Sequence, residues 1–378
     1  AHTPGVVADV RETAPGLPGR AGKWGELSLT PIVISPPMEL MFTDWGFQPR
    51  PTWFFPEASA DRAIGMLRAA GVPASEAEPL RSRVRSEPRI SGVVIQPDPE
   101  WVRSLAPGVR SNVYQMLSRT WLNRDQSLAF RYRGSNLEEW LGADRVSPRT
   151  RQLVEPLVYS DGEYMLFSDV VLVQSEVGSE EELRRLGKAL CRQPTVLARL
   201  SVGDAADVDR LIEYWGRGGR HTMVRPLLES IAEGGPGRFA DVANLLPPFA
   251  RNRIYRYPNV RSGDPGKQPL PNCLWSSLNF FRENPDDRYL DDAIALKALR
   301  EDYAVVESDF ELGDVVTFLD EGGNLFHAAV YIADDFVFTK NGASRMTPWT
   351  LQSIDDVRGF YRWRSADPRL VFHRRKGL

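Results

Sequence analysis

The stretch PNCLWSSLNF, residues 271–280, puts Cys273 directly after an asparagine and at the head of an apolar run. Asn272 is a favoured helix N-cap and Pro271 precedes it, so Cys273 is expected in the first helical turn. The unpaired amides and the positive end of the helix dipole favour an anion there. They lower a thiol's pKa toward the thiolate, the form that attacks a carbonyl carbon. The same amides can supply part of an oxyanion hole for the tetrahedral intermediate. Leu274, Leu278 and Phe281 recur at i, i+4 and i+7 along one helical face, and Trp275 widens it.

Such a nucleophile needs a base, and His327 supplies a candidate 54 residues later. It lies in the most orderly part of the chain, where VVTFL, LFHAAVYI and FVFTKNG read as three strands joined by the turns DEGGN and ADD. Alternation puts His327, Ala329 and Tyr331 on one face of the middle strand and Phe326, Ala328, Val330 and Ile332 on the other. The apolar set is expected to face a core, leaving His327 and the small Ala329 on the side where a helix can approach. A three-residue ADD turn sets Asn341 opposite His327, with Thr339 on the same face and Lys340 pointing away. Asn341 or Thr339 is then the group that orients the imidazole, Asn341 being preferred for the reach of its amide oxygen.

A Cys at a helix start, a GDVVTF strand and then HAAVYI with a hairpin resemble the NlpC-type cell-wall peptidases, a branch of the papain-like cysteine hydrolases. The likeness covers about the last 125 residues. It implies an α+β domain in which a Cys-bearing helix packs on an antiparallel sheet bearing the His. It also implies a bacterial cell-wall peptide as substrate and a periplasmic or secreted location, with a cytoplasmic one as the alternative. The chain departs from the family in its bulky CLW and in offering Thr339 or Asn341 where a second His is common. The family's upstream tyrosine corresponds to Tyr257 in RIYRYPN, and Tyr257 and Trp275 are the candidate substrate contacts.

The expected reaction is cleavage of an amide or isopeptide bond through a thioester, with no metal and no organic cofactor. An amidase, thioesterase or acyltransferase would use the same pair, and a non-catalytic binding or scaffold protein is the third reading. Cys191, within a helical block and without a paired histidine, reads as inert packing. Two cysteines form no disulfide framework. The four histidines lie far apart, without metal-binding spacing. The acidic run ENPDDRYLDD lacks the glycine and terminal glutamate of a calcium loop and reads as a solvated loop and helix cap.

The elements that must position these groups follow a change in composition along the 378 residues. Residues 1–58 are proline- and glycine-rich and read as an irregular opening. Residues 59–250 read as mostly helical with a few strands: ADRAIGMLRAAG stops at Gly71, a second pattern breaks near Pro107, and Ser179 with Glu182 forms a capping box. The loop RSGDPGKQPLPN, residues 261–272, delivers the chain to Cys273, and the boundary is placed a little earlier, giving a hydrolase domain over 251–378. A formal charge of −3 leaves no electrostatic footprint for nucleic acid. No run approaches the roughly 18 apolar residues of a membrane span. The first residue is Ala1, which fits removal of a leader or a trimmed chain.

Overall fold

The structure is a computed structural model, and it describes residues 6–7, 9–12, 17–41, 50–202, 205–235, 237–258 and 269–378. Most of the loop before Cys273 and part of the irregular opening therefore lie outside the described residues. The fold is α+β, with its strands in antiparallel sheets. The chain separates into two compact units, one built from residues 1–37, 193–358 and 365–378, the other from 38–192 and 359–364.

The first unit holds a six-stranded antiparallel sheet. Its order is Tyr303–Val306, Arg369–Arg375, Val315–Leu319, Leu325–Ala333, Phe336–Lys340 and Trp349–Ser353. The three central hairpin strands coincide closely with the alternating runs in the sequence. Their first turn is closed by Asp320, whose Oδ1 accepts from the amides of Gly322 and Asn324. The second turn is tighter than the ADD reading. Ala333 pairs with Phe336, so Asp334 and Asp335 alone make the bend, with Asp334 at φ 55°.

The opening of the chain is more ordered than its composition suggests. Gly25–Ser35 is an eleven-residue strand that pairs along its length with Gln193–Ser201. Helices Ala205–Trp215 and His221–Glu233 come next, and one apolar core joins Leu211, Trp215 and Leu228 to Trp275, Leu278, Val330 and Phe338. This shared core is why the division falls at 192/193 rather than at the boundary near 250 read from composition.

The second unit contains two three-stranded antiparallel sheets and several capped helices. Ser59 accepts from the amide of Arg62 and starts Ala60–Ala69, and Gly71 ends that segment at φ 101°. The pattern around Pro107 is two helices, Pro99–Ser104 and Pro107–Ser118. Ser179 caps Glu180–Leu190 as expected, but the Glu182 carboxylate accepts from the amide of Ser147 and so leaves the capping box half-made. Arg110, Tyr114 and Asp169 form a buried cluster, with Arg110 Nη1 2.8 Å and Tyr114 Oη 2.6 Å from the Asp169 carboxylate.

Candidate active site around Cys273

Cys273 does open a helix, Cys273–Leu278. Asn272 Oδ1 accepts from the amide of Trp275 at 2.8 Å, and Asn272 Nδ2 donates to Asp292 Oδ1 at 2.8 Å, so the cap is itself held in place. Apolar packing fixes the rest: Leu274, Trp275 and Leu278 are buried, and Trp349 Nε1 donates to Ser276 Oγ at 2.9 Å. The Arg253 guanidinium lies over the rings of Phe249, Trp275 and Trp349. The acidic run after the helix contributes caps, Asp291 Oδ1 accepting from the amides of Ala293 and Ile294.

Register decides which face of the sheet this helix meets. Val330 pairs with Phe338, Lys340 with Trp349 and Phe338 with Leu351, so these side chains share one face. Trp349 contacts the cysteine helix, and Ala328, Val330 and Phe338 belong to the same core as Leu274 and Leu278. The helix thus packs on the purely apolar set. The expected approach on the His327 face is corrected: a helix that must bury two leucines and a tryptophan goes where the strand is apolar throughout.

His327 points to the other face. It pairs with Phe318 across the ladder and its ring lies 5.4 Å from the Phe318 ring, while Nε2 is 2.8 Å from Thr339 Oγ1. Thr339 donates onward to Asn341 Oδ1 at 3.2 Å, and Asn341 Nδ2 donates to Gln352 Oε1 at 3.0 Å. With its hydrogen spent on Asn341, the Thr339 hydroxyl accepts from the imidazole, so Nε2 carries the proton. Thr339 is the direct partner of His327, and Asn341, preferred from the sequence, stands one bond behind it. His327 is fully buried, and burial pushes its pKa down to about 3. It is a neutral member of a buried polar chain, and the predicted Cys273–His327 pairing is not assembled.

The surroundings of the thiol are different. Cys273 is half-buried. Burial raises its pKa, the amides of Ala328 and Leu274 at the sulfur pull the other way, and the Asp292 carboxylate adds to the rise. The expected low thiol pKa is therefore corrected: a helix of six residues has too small a dipole to outweigh desolvation. A buried charged group on this face is Lys340. Its Nζ donates to the carbonyls of Gly342 and Ser344 at 2.8 and 2.9 Å and to Thr347 Oγ1 at 3.0 Å. It also lies 5.6 Å from the centre of the Trp349 ring. Burial lowers its pKa to about 7, and the negative charge of Cys273 opposes that fall.

Chain and structure are without a match among protein-family models, curated proteins and solved structures.

The remaining candidates fall outside this site. Trp275 is fully buried, its indole donating to Asp287 Oδ1 at 3.2 Å, and Tyr257 is fully buried in a strand whose backbone pairs with Val6. Both are corrected from substrate contacts to packing. Cys191 is buried, and burial pushes its pKa up to about 12, as inert packing requires. Among the described residues no group of three His, Cys, Asp or Glu side chains is placed to hold a metal ion, and no helix is long and apolar enough to cross a membrane.

Two residues were missed by sequence reasoning. Alternation already turned Lys340 away from Thr339 and Asn341, and once the helix is placed on the apolar face that direction leads to the thiol. His373 also lies on the cysteine's face, since Val315 pairs with both Val330 and His373; its Nε2 is 3.0 Å from Thr317 Oγ1.

Proposed function

We propose that this chain is a cysteine hydrolase that opens an amide or isopeptide bond through a thioester, with Cys273 as nucleophile and Lys340 as the group that takes its proton. The observation that carries the reading is geometric: Lys340, fully buried, projects from the sheet face on which the Cys273 helix packs, paired with the Trp349 that contacts that helix. A buried amine with a pKa near 7 is neutral in half the molecules at neutral pH and is suited to general-base work. Two carbonyls and a hydroxyl then hold the ammonium it becomes.

In this scheme the thiol proton moves to Lys340 Nζ and the thiolate attacks the amide carbonyl carbon. The carbon–nitrogen bond breaks and the amine leaves with a proton returned from Nζ. Water then hydrolyses the thioester, releasing the acid and restoring the thiol. The amides of Leu274 and Ala328 beside the sulfur favour its anionic form. His327, Thr339 and Asn341 act only by bracing the strand from its far face.

The resemblance to NlpC-type peptidases supplies the substrate class, a bacterial cell-wall peptide, and with it a periplasmic or secreted setting. Incubating the chain with muropeptides and following new amine and acid ends by mass spectrometry tests this. The expected result is a cleaved peptide with the wild type and none with Cys273→Ala. A second reading has its own support, because burial raises the thiol's pKa and so opposes nucleophilicity: the fold would then serve as a non-catalytic binding or scaffold module. Absence of both product and acyl-enzyme mass would favour that reading.

A further inference from the structure

The charged groups of the first unit are unevenly placed. A cavity of about 840 Å³ lies among residues 210–221, the turn at Lys23, Phe281, Glu311 and residues 375–378. Lys23, Arg210, Arg217, Arg375 and Lys376 line it, against the two carboxylates of Glu213 and Glu311. Cys273 and Lys340 are not among its walls. The basic HRRKGL run, which the reading of Cys273 leaves unused, supplies part of this lining.

Part of the charge at its wall is balanced by carboxylates behind the lining: Glu311 is shared by Arg217, Arg374 at 3.3 Å and Lys23 at 4.0 Å, while Lys23 also pairs with Asp309 and Arg374 with Asp314 at 2.7 Å. The lining itself still sets three arginines and two lysines against Glu213 and Glu311. Burial lowers the Arg217 pKa and repulsion from Arg374 lowers it further, against an opposing pull from Asp314, so an anion set beside Arg217 would favour its charged form.

The backbone on the same wall is shaped for close approach. Gly218 and Gly219 stand at φ 74° and 76°, just before the thirteen-residue helix His221–Glu233. A Cβ on Gly218 would lie 2.5 Å from the Phe281 ring, whereas nothing lies within 4 Å of the corresponding point on Gly219, which opens to space. Arg220 braces this loop from inside, donating to the carbonyls of Arg217, Trp215 and Leu245. A bare glycine turn opening a helix, flanked by guanidinium groups, is a suitable cradle for a phosphoryl group.

We infer that this cavity is a binding site for a small molecule bearing two or more phosphoryl groups, separate from the Cys273 site. Arg210, Arg217 and Arg375 can grip oxygens bidentately, Lys376 and Lys23 add point charge, and the turn at Gly218–Gly219 meets the remaining oxygens.

Tripolyphosphate is the probe, titrated calorimetrically into the full chain at low salt. Binding is expected, weakening as salt screens the charges. Arg210 and Lys376 are exposed, so Arg210→Glu with Lys376→Glu leaves the fold intact and is expected to weaken binding by at least about tenfold, the effect of removing two phosphoryl contacts. The pair Arg149→Glu with Arg184→Glu makes the same charge change on exposed residues of the other unit, neither of which lines the cavity. It is expected to leave binding within about twofold, since exposed charges outside the site are screened. No binding by the wild type, or equal weakening by the two pairs, overturns the inference.

Discussion

Cys273 and His327 approach the same strand from opposite faces. The thiol lies at the amide of Ala328, and the imidazole of the preceding residue turns through the sheet to Thr339, 2.8 Å away. The residue the thiol meets, Ala328, is next to His327 in sequence, and the pleat turns their side chains to opposite faces. Any chemistry at Cys273 therefore depends on what lies on its own face.

His327 makes the fold sensitive to acid. Its folded pKa is near 3 and an unfolded histidine titrates near 6.5, so between these values the unfolded chain binds more protons. Stability is then full above about pH 6.5 and falls as pH drops toward 3, by up to about 1.4 kcal/mol per unit. Urea denaturation at several pH values is expected to show this slope in the wild type and a shallower one in His327→Gln.

Thr339→Val breaks the polar chain in its middle and leaves both His327 Nε2 and Asn341 Oδ1 without their partner hydroxyl. The expected cost is about 1–3 kcal/mol in unfolding free energy, the usual penalty for stranded buried groups. Turnover of a muropeptide by the folded fraction is expected to stay unchanged, since this chain lies on the far face from the thiol.

Asn272→Ala removes the cap that Trp275 N–H donates to and also the link to Asp292. A loss of about 1 kcal/mol is expected from the cap. Thermal unfolding followed by tryptophan fluorescence measures it, because Trp275 and Trp349 both pack at this helix.

Much of this arrangement was legible in the sequence, and what was not has a common cause. Alternation located the hairpin strands and sorted His327, Thr339 and Asn341 from Ala328, Val330 and Lys340, because period-two patterning is local. It says which residues share a face, and it is silent on which face receives a distant helix. Both faces of Leu325–Ala333 are buried, His327 and Ala329 as fully as Ala328 and Val330, so the apolar set did not mark the only covered side. The pairing of Gly25–Ser35 escaped for a related reason: LTPIVISPPMELMF reads as extended chain, but its partner Gln193–Ser201 lies far along the sequence and the prolines around it suggested an irregular segment. Trp275 and Tyr257 were misread because an aromatic near a nucleophile looks the same in sequence whether it lines a cleft or fills a core.

The central claim is that Lys340, not His327, governs the reactivity of Cys273. Alkylation of Cys273 by iodoacetamide at pH 8, followed by peptide mapping, measures it directly. Lys340→Met is expected to slow labelling by about tenfold, the effect of roughly one unit in the thiol's pKa, whereas His327→Gln is expected to change it by less than about twofold. Slowed labelling in His327→Gln with an unchanged rate in Lys340→Met would contradict the account.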